Sequence, residues 1–234
     1  NLTLEHFTAE QAYSMVVANP GQRERGNPKD DASLALRYYR RAGGTDIHGV
    51  ARFSERFKVE TGGAFSAVPN QSLEVHGSFL IQRRGERLVP LADPASIQDL
   101  LSPHRALGTE ELHNARKALA GFTWGIESGW TVIGETWWDG TAPRAADWQR
   151  LASQARQRNA LAVLPNVPSM AVAASLAEST RMFQQPSVSR STAFAHIAWT
   201  DPAGGRCSGA LDILRTLEDG GYAVTLSTGW EADK

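Results

Sequence analysis

The stretch of this sequence best suited to chemistry places carboxylates beside indole rings. Glu135 is followed by Trp137, Trp138 and Asp139. Indole rings can stack on sugars, and a carboxyl group can protonate the leaving oxygen of a glycosidic bond. A secreted β-sandwich that positioned Glu135, Trp137 and Trp138 together would bind or hydrolyse carbohydrate. This is one of three functional hypotheses.

Other catalytic and metal-binding patterns are absent from the sequence. It contains no G-x-G-x-x-G, no G-x-x-x-x-G-K-[ST], no G-x-S-x-G and no H-E-x-x-H. Its six histidines are scattered without ligand spacing, and Cys207 is its one cysteine, so a multi-cysteine metal site and an internal disulfide are excluded. The sequence therefore predicts no catalytic residue, no metal and no cofactor, and a protein that is not an enzyme.

Composition restricts the class of protein. The chain has 234 residues, 41% of them hydrophobic, and a formal net charge of -1, so it can bury a sizeable core and lacks the basic footprint of nucleic-acid binding. No window reaches the roughly 20 apolar residues of a spanning helix. The chain opens at Asn1 without a basic-then-apolar leader, which is typical of a mature secreted protein or an excised piece.

Alternation of apolar and polar residues predicts the elements that would position any site. Between Ser72 and Gln82, Leu73 and Val75 fall on one face while Glu74 and His76 fall on the other. This period of two is typical of half-buried strands. After a less regular opening segment the pattern predicts ten strands, at 33–41, 46–54, 57–67, 72–83, 117–127, 130–138, 171–182, 191–200, 206–215 and 222–231.

The predicted connections differ in length. Glycine-bearing hairpins are expected at 42–45, 128–129 and 219–221, because glycine supplies the positive φ of tight turns. The long loops 84–116 and 139–170, and the polar segment 19–31, all leave from the same end of the predicted sheet. Residues 97–101 predict a short helix, and Trp148, Leu151 and Ala155 share one helical face. One domain spans residues 1–234 in this interpretation.

The apolar faces of the predicted strands carry small residues in the middle and aromatic residues near the ends. Aromatic residues about nine positions apart match the two interfacial girdles of an outer-membrane barrel. The girdle candidates are Trp130, Trp138, Trp199, Tyr222 and Trp230.

The opposite faces hold ionisable residues of both signs. Turning an arginine or lysine toward lipid at mid-depth would cost about 2–4 kcal/mol, so the strand register should be firmly set. Ion pairs of Lys58 or Arg52 with Glu60 or Glu74 are expected. A solvated outer face of a soluble sheet would carry a similar mixture. The candidates for a polar lumen lining are Arg37, His48, Arg52, Lys58, Glu60, Glu74, His76, Glu127, Glu135, His196 and Asp212.

This pattern is carried by the segments SLALRYYRRAGGTDIHGVARFSERF, SLEVHGSFLIQRR, WTVIGETWWDGTAP and GALDILRTLEDGGYAVTLSTGW. They resemble bacterial outer-membrane β-barrels of the porin and exporter type. The resemblance implies an all-β, up-and-down antiparallel transmembrane barrel with short helices in its long loops, which would lie on the extracellular side. It also implies contact with membrane lipid in the bacterial outer membrane, and passage of small polar solutes or an exported polymer.

One feature departs from that class. Such barrels usually end on an aromatic residue, whereas this sequence ends with Glu231-Ala232-Asp233-Lys234. Either the barrel is incomplete at the C-terminus or the barrel interpretation is wrong. The third hypothesis is a non-conducting envelope scaffold whose loops bind a partner. A homo-oligomer or an envelope complex is compatible with both barrel hypotheses.

Overall fold

Eleven strands and three α-helices make up the fold of the described residues. The computed structural model describes residues 2–18, 32–92, 94, 96–202 and 207–230. The helices are α1 (Ile97–Leu101), α2 (Ala145–Leu161) and α3 (Ser169–Ser179). The strands are β1 (Leu2–Phe7), β2 (Gln11–Ala18), β3 (Ser33–Ala42), β4 (Thr45–Ser54), β5 (Lys58–Asn70), β6 (Leu73–Pro90), β7 (Leu107–Gly125), β8 (Trp130–Asp139), β9 (Ser191–Thr200), β10 (Cys207–Thr216) and β11 (Tyr222–Trp230).

All eleven strands belong to one sheet, in which each strand pairs with its neighbours in the sequence. The all-β antiparallel meander is therefore confirmed. Within the described residues β1 and β11 are the two edges of this sheet, and they do not pair with each other. Because the strands alternate in direction and their number is odd, β1 and β11 point the same way. A direct pair between them would be parallel, unlike the antiparallel pairs in the rest of the sheet.

Nine of the predicted strands are present, with boundaries that differ by a few residues at most except in β6 and β7. The opening segment adds two strands, β1 and β2. The predicted loop 84–116 shrinks to 91–106, because β6 continues to Pro90 and β7 begins at Leu107. Residues 19–31, 93, 95, 206 and 231 of the predicted segments lie outside the described residues.

The predicted strand at 171–182 is wrong, since these residues form α3 and a 3₁₀ turn at Thr180–Gln184. Alanine, the strongest helix former, recurs through the segment MAVAASLAES. The buried residues Val172, Ser175 and Ser179 are spaced by three and four positions, which is the period of a helix rather than of a strand. The second long connection therefore runs from residue 140 to 190.

The loss of this strand changes which end of the sheet carries the last turn. We call the end with the β3–β4 and β7–β8 turns the turn end, and the end from which 91–106 and 140–190 leave the loop end. Both long connections share the loop end, as predicted. The turn around Gly220 was expected at the turn end, but it lies at the loop end because one strand fewer precedes it.

Three glycines have the positive φ that their turns require. Gly43, Gly129 and Gly220 have φ angles of 60°, 85° and 73°, so the hairpin predictions at these sites are confirmed.

The chain folds into two compact units. The helical unit comprises Gly85–Leu112 and Asp139–Arg190, and the sheet unit comprises the remaining residues. Ala106, Leu107, Leu151 and Met182 form the core of the helical unit. In the described part of the sheet unit, Ala115 is the only buried apolar residue. The sheet unit therefore has almost no apolar core of its own.

No helix among the described residues is both long and apolar enough to cross a membrane.

Candidate functional site

The two faces of the sheet differ in chemistry. Residues directly opposite each other on antiparallel neighbours point to the same face. Arg52 lies opposite Glu60, and Glu60 lies opposite Gln82, which defines a polar face on β4–β6. Leu36 lies opposite Ala51, and Ala51 opposite Thr61, which defines the apolar face.

Gly121 extends this assignment across β7. A Cβ atom added to Gly121 would lie 2.6 Å from His76 Nε2 and 2.9 Å from Glu135 Cγ, so all three residues share the polar face. On β8–β10, Glu135 lies opposite Phe194, and His196 lies opposite Asp212. The polar face is therefore continuous from β1 to β11.

The predicted lumen residues that lie within strands all fall on this polar face, namely Arg37, His48, Arg52, Lys58, Glu60, Glu74, His76, Glu135, His196 and Asp212. Glu127 differs, because it lies in the turn between β7 and β8. The alternation in the sequence thus placed these residues on one face, although it did not show which of them touch.

Most charges on the polar face have partners. Arg52 Nη1 lies 3.3 Å from Glu60 Oε2, as the sequence predicted, and Gln82 Nε2 donates to Glu60 Oε1 at 2.5 Å. The Ser66 hydroxyl donates to Glu74 Oε1 at 2.7 Å. Glu60 and Glu74 are therefore both paired within the sheet, although the buried Oε2 of Glu60 accepts no hydrogen bond from the described residues.

Two histidines each meet a carboxylate. His76 Nε2 lies 3.1 Å from Glu135 Oε1, and His196 Nδ1 lies 2.6 Å from Asp212 Oδ1. Each pair brings one imidazole to one carboxylate. No group of three or more His, Cys, Asp or Glu side chains in the described ranges could hold a metal ion.

Sequence reasoning missed two features of the polar face. One is the bond from the Tyr39 hydroxyl to Asp46 Oδ1 at 2.6 Å, which depends on the register of β3 and β4. The other is the row of Glu5, Ser14 and Arg37 on β1–β3. In the sequence the polar Ser14 lies between Tyr13 and Met15, and this alternation of polar and apolar residues could have predicted β2.

The apolar face is exposed along its whole width. Every strand contributes at least one exposed large apolar side chain, and together they are Leu2, Leu4, Tyr13, Val17, Leu36, Ile47, Phe53, Val59, Phe65, Phe79, Ile81, Phe122, Trp124, Trp130, Trp138, Ile197, Ile213, Tyr222, Val224, Leu226 and Trp230. On the polar face of the described strands, the exposed large apolar residues are Phe7, Val50, Val68 and Leu214. The two faces therefore differ sharply in their apolar exposure.

The predicted girdle residues all lie on the apolar face, near its two ends. Trp130 and Trp199 face each other at the turn end, with ring centroids 6.5 Å apart, and Trp230 ends β11 on the same side. Trp138 and Tyr222 lie at the loop end. The aromatic residues thus form two rows separated by the length of the strands.

The carbohydrate-site residues do not converge. Glu135 and Trp137 point to the polar face, whereas Trp138 points to the apolar face, because side chains alternate along β8. Asp139 accepts hydrogen bonds from the hydroxyls of Thr141 and Ser187. The sandwich hypothesis also requires two packed sheets, and the described strands form a single sheet.

Comparison of the chain with protein-family models, with curated proteins and with solved structures gives no match. The resemblance to porin-type barrels therefore stays a prediction.

Proposed function

We propose that this chain is a bacterial outer-membrane β-barrel whose polar face lines a lumen for small polar solutes or an exported polymer, and that it catalyses no reaction. The observation that carries the proposal is the exposed apolar face, which extends over all eleven strands. Soluble monomers rarely expose contiguous apolar patches larger than a few hundred Å². A lipid bilayer would cover such a face.

The distribution of charge on the apolar face supports lipid as its surroundings. Arg40, Arg83, Arg116 and Arg215 lie towards one end of the sheet or the other, and the middle of the described apolar face carries no charged side chain. Arginines near the ends of spanning segments can extend their guanidinium groups to the interface. A charge at mid-depth would be far more costly.

The lengths of the last four strands agree with this arrangement, whereas β1 has six residues and β2 has eight. Strands β8, β9 and β10 have ten residues and β11 has nine. A tilted strand needs about 9–11 residues to cross the hydrocarbon region. The two aromatic rows at the strand ends would then lie at the two interfaces, where tryptophan and tyrosine are enriched.

Closure of the sheet is part of the proposal. An open edge exposes unpaired backbone groups, which the hydrocarbon region does not tolerate. The edges β1 and β11 would be satisfied by a parallel pair between them or by further strands bound to both.

Heat-modifiable gel mobility tests the proposal. The full chain, expressed with its export machinery in a Gram-negative host, should require detergent for extraction from the envelope. Its unboiled band should migrate differently from its boiled band, since a closed barrel resists unfolding by detergent. A protein that leaves the envelope without detergent and shows no band shift would contradict the membrane barrel.

Conductance separates a channel from a scaffold. In planar bilayers the purified protein should conduct with weak ion selectivity at most, because both signs of charge line the polar face. A barrel that shifts on gels but carries no current would overturn the channel and favour the non-conducting scaffold.

A further inference from the structure

We propose that Glu5, Ser14 and Arg37 form a binding site for a small zwitterionic solute, with its ammonium group toward Glu5 and its carboxylate toward Arg37. This inference names a substrate class for the proposed lumen and rests on that function for its biological meaning.

The register places the three residues in one row. Glu5 on β1 lies opposite Ser14 on β2, and Ser14 lies opposite Arg37 on β3. Neighbouring strands are about 4.8 Å apart, so the backbones of Glu5 and Arg37 are about 10 Å apart with the serine between them. The row thus presents an anion, a hydroxyl and a cation in sequence on the polar face.

Glu5, Ser14 and Arg37 line two cavities over the polar face. The larger, of about 500 Å³, extends from Glu5, Ser14 and Arg37 towards Arg52 and Glu60. The smaller, of about 170 Å³, extends from the same three residues towards Phe7 and Tyr39. The larger volume falls in the range of small-molecule sites, which is roughly 300–1,000 Å³.

The charges in this row are available to a ligand. Neither Glu5 nor Arg37 makes a side-chain hydrogen bond or ion pair with any other described residue. Neighbouring residues on the polar face already have partners. Arg52 forms an ion pair with Glu60, and the Tyr39 hydroxyl donates a hydrogen bond to Asp46. Within the described part of the chain, Glu5 and Arg37 are therefore two opposite charges left unpaired on either side of Ser14.

The arrangement selects against ligands of a single charge. A simple anion attracted to Arg37 would be repelled by Glu5. A simple cation attracted to Glu5 would be repelled by Arg37. A solute that carries both charges can pair with both groups, and a hydrogen bond to a charged group contributes about 1.5–3 kcal/mol. Free amino acids and short peptides have this character.

Calorimetric titration of the full chain in detergent tests the site with L-alanyl-L-alanine as the probe. N-acetyl-L-alanine and L-alaninamide, which keep one charge each, serve as the comparison probes. We expect the dipeptide to bind at least about tenfold more tightly than either, which corresponds to about 1.4 kcal/mol. Equal affinity for the three probes, or no dipeptide binding at millimolar concentrations, would overturn the proposal.

Matched variants assign the binding to these residues. E5Q and R37Q should each weaken dipeptide binding by about tenfold or more. E10Q, in the β1–β2 turn, and R40Q, on the opposite face of β3, remove the same charges and should leave affinity within about twofold. If R37Q fails to fold, E5Q carries the same test. Equal losses in R37Q and R40Q would overturn the proposal.

Charge reversal gives a readout that a structural role would not produce. E5R and R37E should each abolish dipeptide binding, whereas the double variant should recover it with the dipeptide reversed. Failure of the double variant to recover binding would count against the site. Since calorimetry needs no membrane, dipeptide binding without conductance would overturn the channel alone, and conductance without dipeptide binding would overturn this site alone.

Discussion

His76 on β6 and Glu135 on β8 meet across the intervening strand β7, with 3.1 Å between Nε2 and Oε1. The contact passes over Gly121, which has no side chain to block it. An added Cβ would lie 2.6 Å from the imidazole nitrogen and 2.9 Å from the carbonyl oxygen of Gly134. A pair that joins next-nearest strands therefore depends on a glycine in the strand between them.

G121A should destabilise the sheet, because the new methyl group collides with both a side chain and the backbone. Overpacking of this kind costs about 1–3 kcal/mol. G125A, near the end of the same strand, is the matched control, since nothing lies within 4 Å of its added Cβ. Denaturant unfolding of the detergent-solubilised chain measures the difference. Equal effects of the two substitutions would contradict the steric argument.

The period of two was sufficient to predict most of the sheet and the division of its faces. In β11, for example, Tyr222, Val224 and Leu226 alternate with small or polar residues, and all three are exposed on one face. Glycine in turns added the hairpins at Gly43 and Gly129. These features are local, so the sequence displays them directly.

Long-range features could not be predicted in the same way. The contact of His76 with Glu135 depends on the pairing of β6 with β7 and of β7 with β8, which alternation does not determine. The apolar pattern of the segment containing Val172 and Ser175 is compatible with the period of a strand and with that of a helix. Its alanines favour the helix. Because a strand was predicted where α3 lies, the turn around Gly220 was assigned to the turn end of the sheet instead of the loop end.

The neighbours Trp137 and Trp138 test which face contacts lipid. In vesicles whose acyl chains carry bromine near the interface, bromine quenches the fluorescence of nearby tryptophans. W138F should remove a substantial share of this quenching, because Trp138 lies on the apolar face. W137F, one residue away on the polar face, should remove much less. A larger loss in W137F would assign lipid to the opposite face.

Arg158 is expected to stabilise the helical unit. Its side chain is almost completely buried, and its Nε donates to Leu100 O at 3.0 Å while Nη1 donates to Ser179 Oγ at 3.2 Å. Burial lowers the pKa of the Arg158 guanidinium, which nevertheless stays protonated at neutral pH. These bonds join α1, α2 and α3.

R158A should lower the free energy of unfolding by about 2–4 kcal/mol, since it leaves a cavity and removes both hydrogen bonds. R156A, at an exposed position of the same helix, should change it by less than about 0.5 kcal/mol. Hydrogen exchange of the α2 and α3 amides reads out the unit directly. Unchanged protection in R158A would show that the bonds contribute little.

Asp219 should make the β10–β11 turn sensitive to acid. The Thr216 hydroxyl and the Gly221 N–H both donate to Asp219 Oδ1, the latter at 3.0 Å. The hydrogen bond from Thr216, followed by that from Gly221, lowers the pKa of the Asp219 carboxyl in the folded protein. The charged form therefore stabilises the turn above the unfolded pKa of about 3.9, and this contribution is lost as the pH falls below it.

The amide proton of Gly221 reports this titration by nuclear magnetic resonance. Its chemical shift should change with a midpoint below the ordinary aspartate pKa, and D219N should abolish the change. E218Q removes the neighbouring carboxylate, which makes no hydrogen bond to the described turn residues, and should leave the midpoint in place. The stabilities of the parent and D219N should differ above about pH 4 and converge in stronger acid. A midpoint at or above the ordinary aspartate value would contradict the role assigned to the two hydrogen bonds.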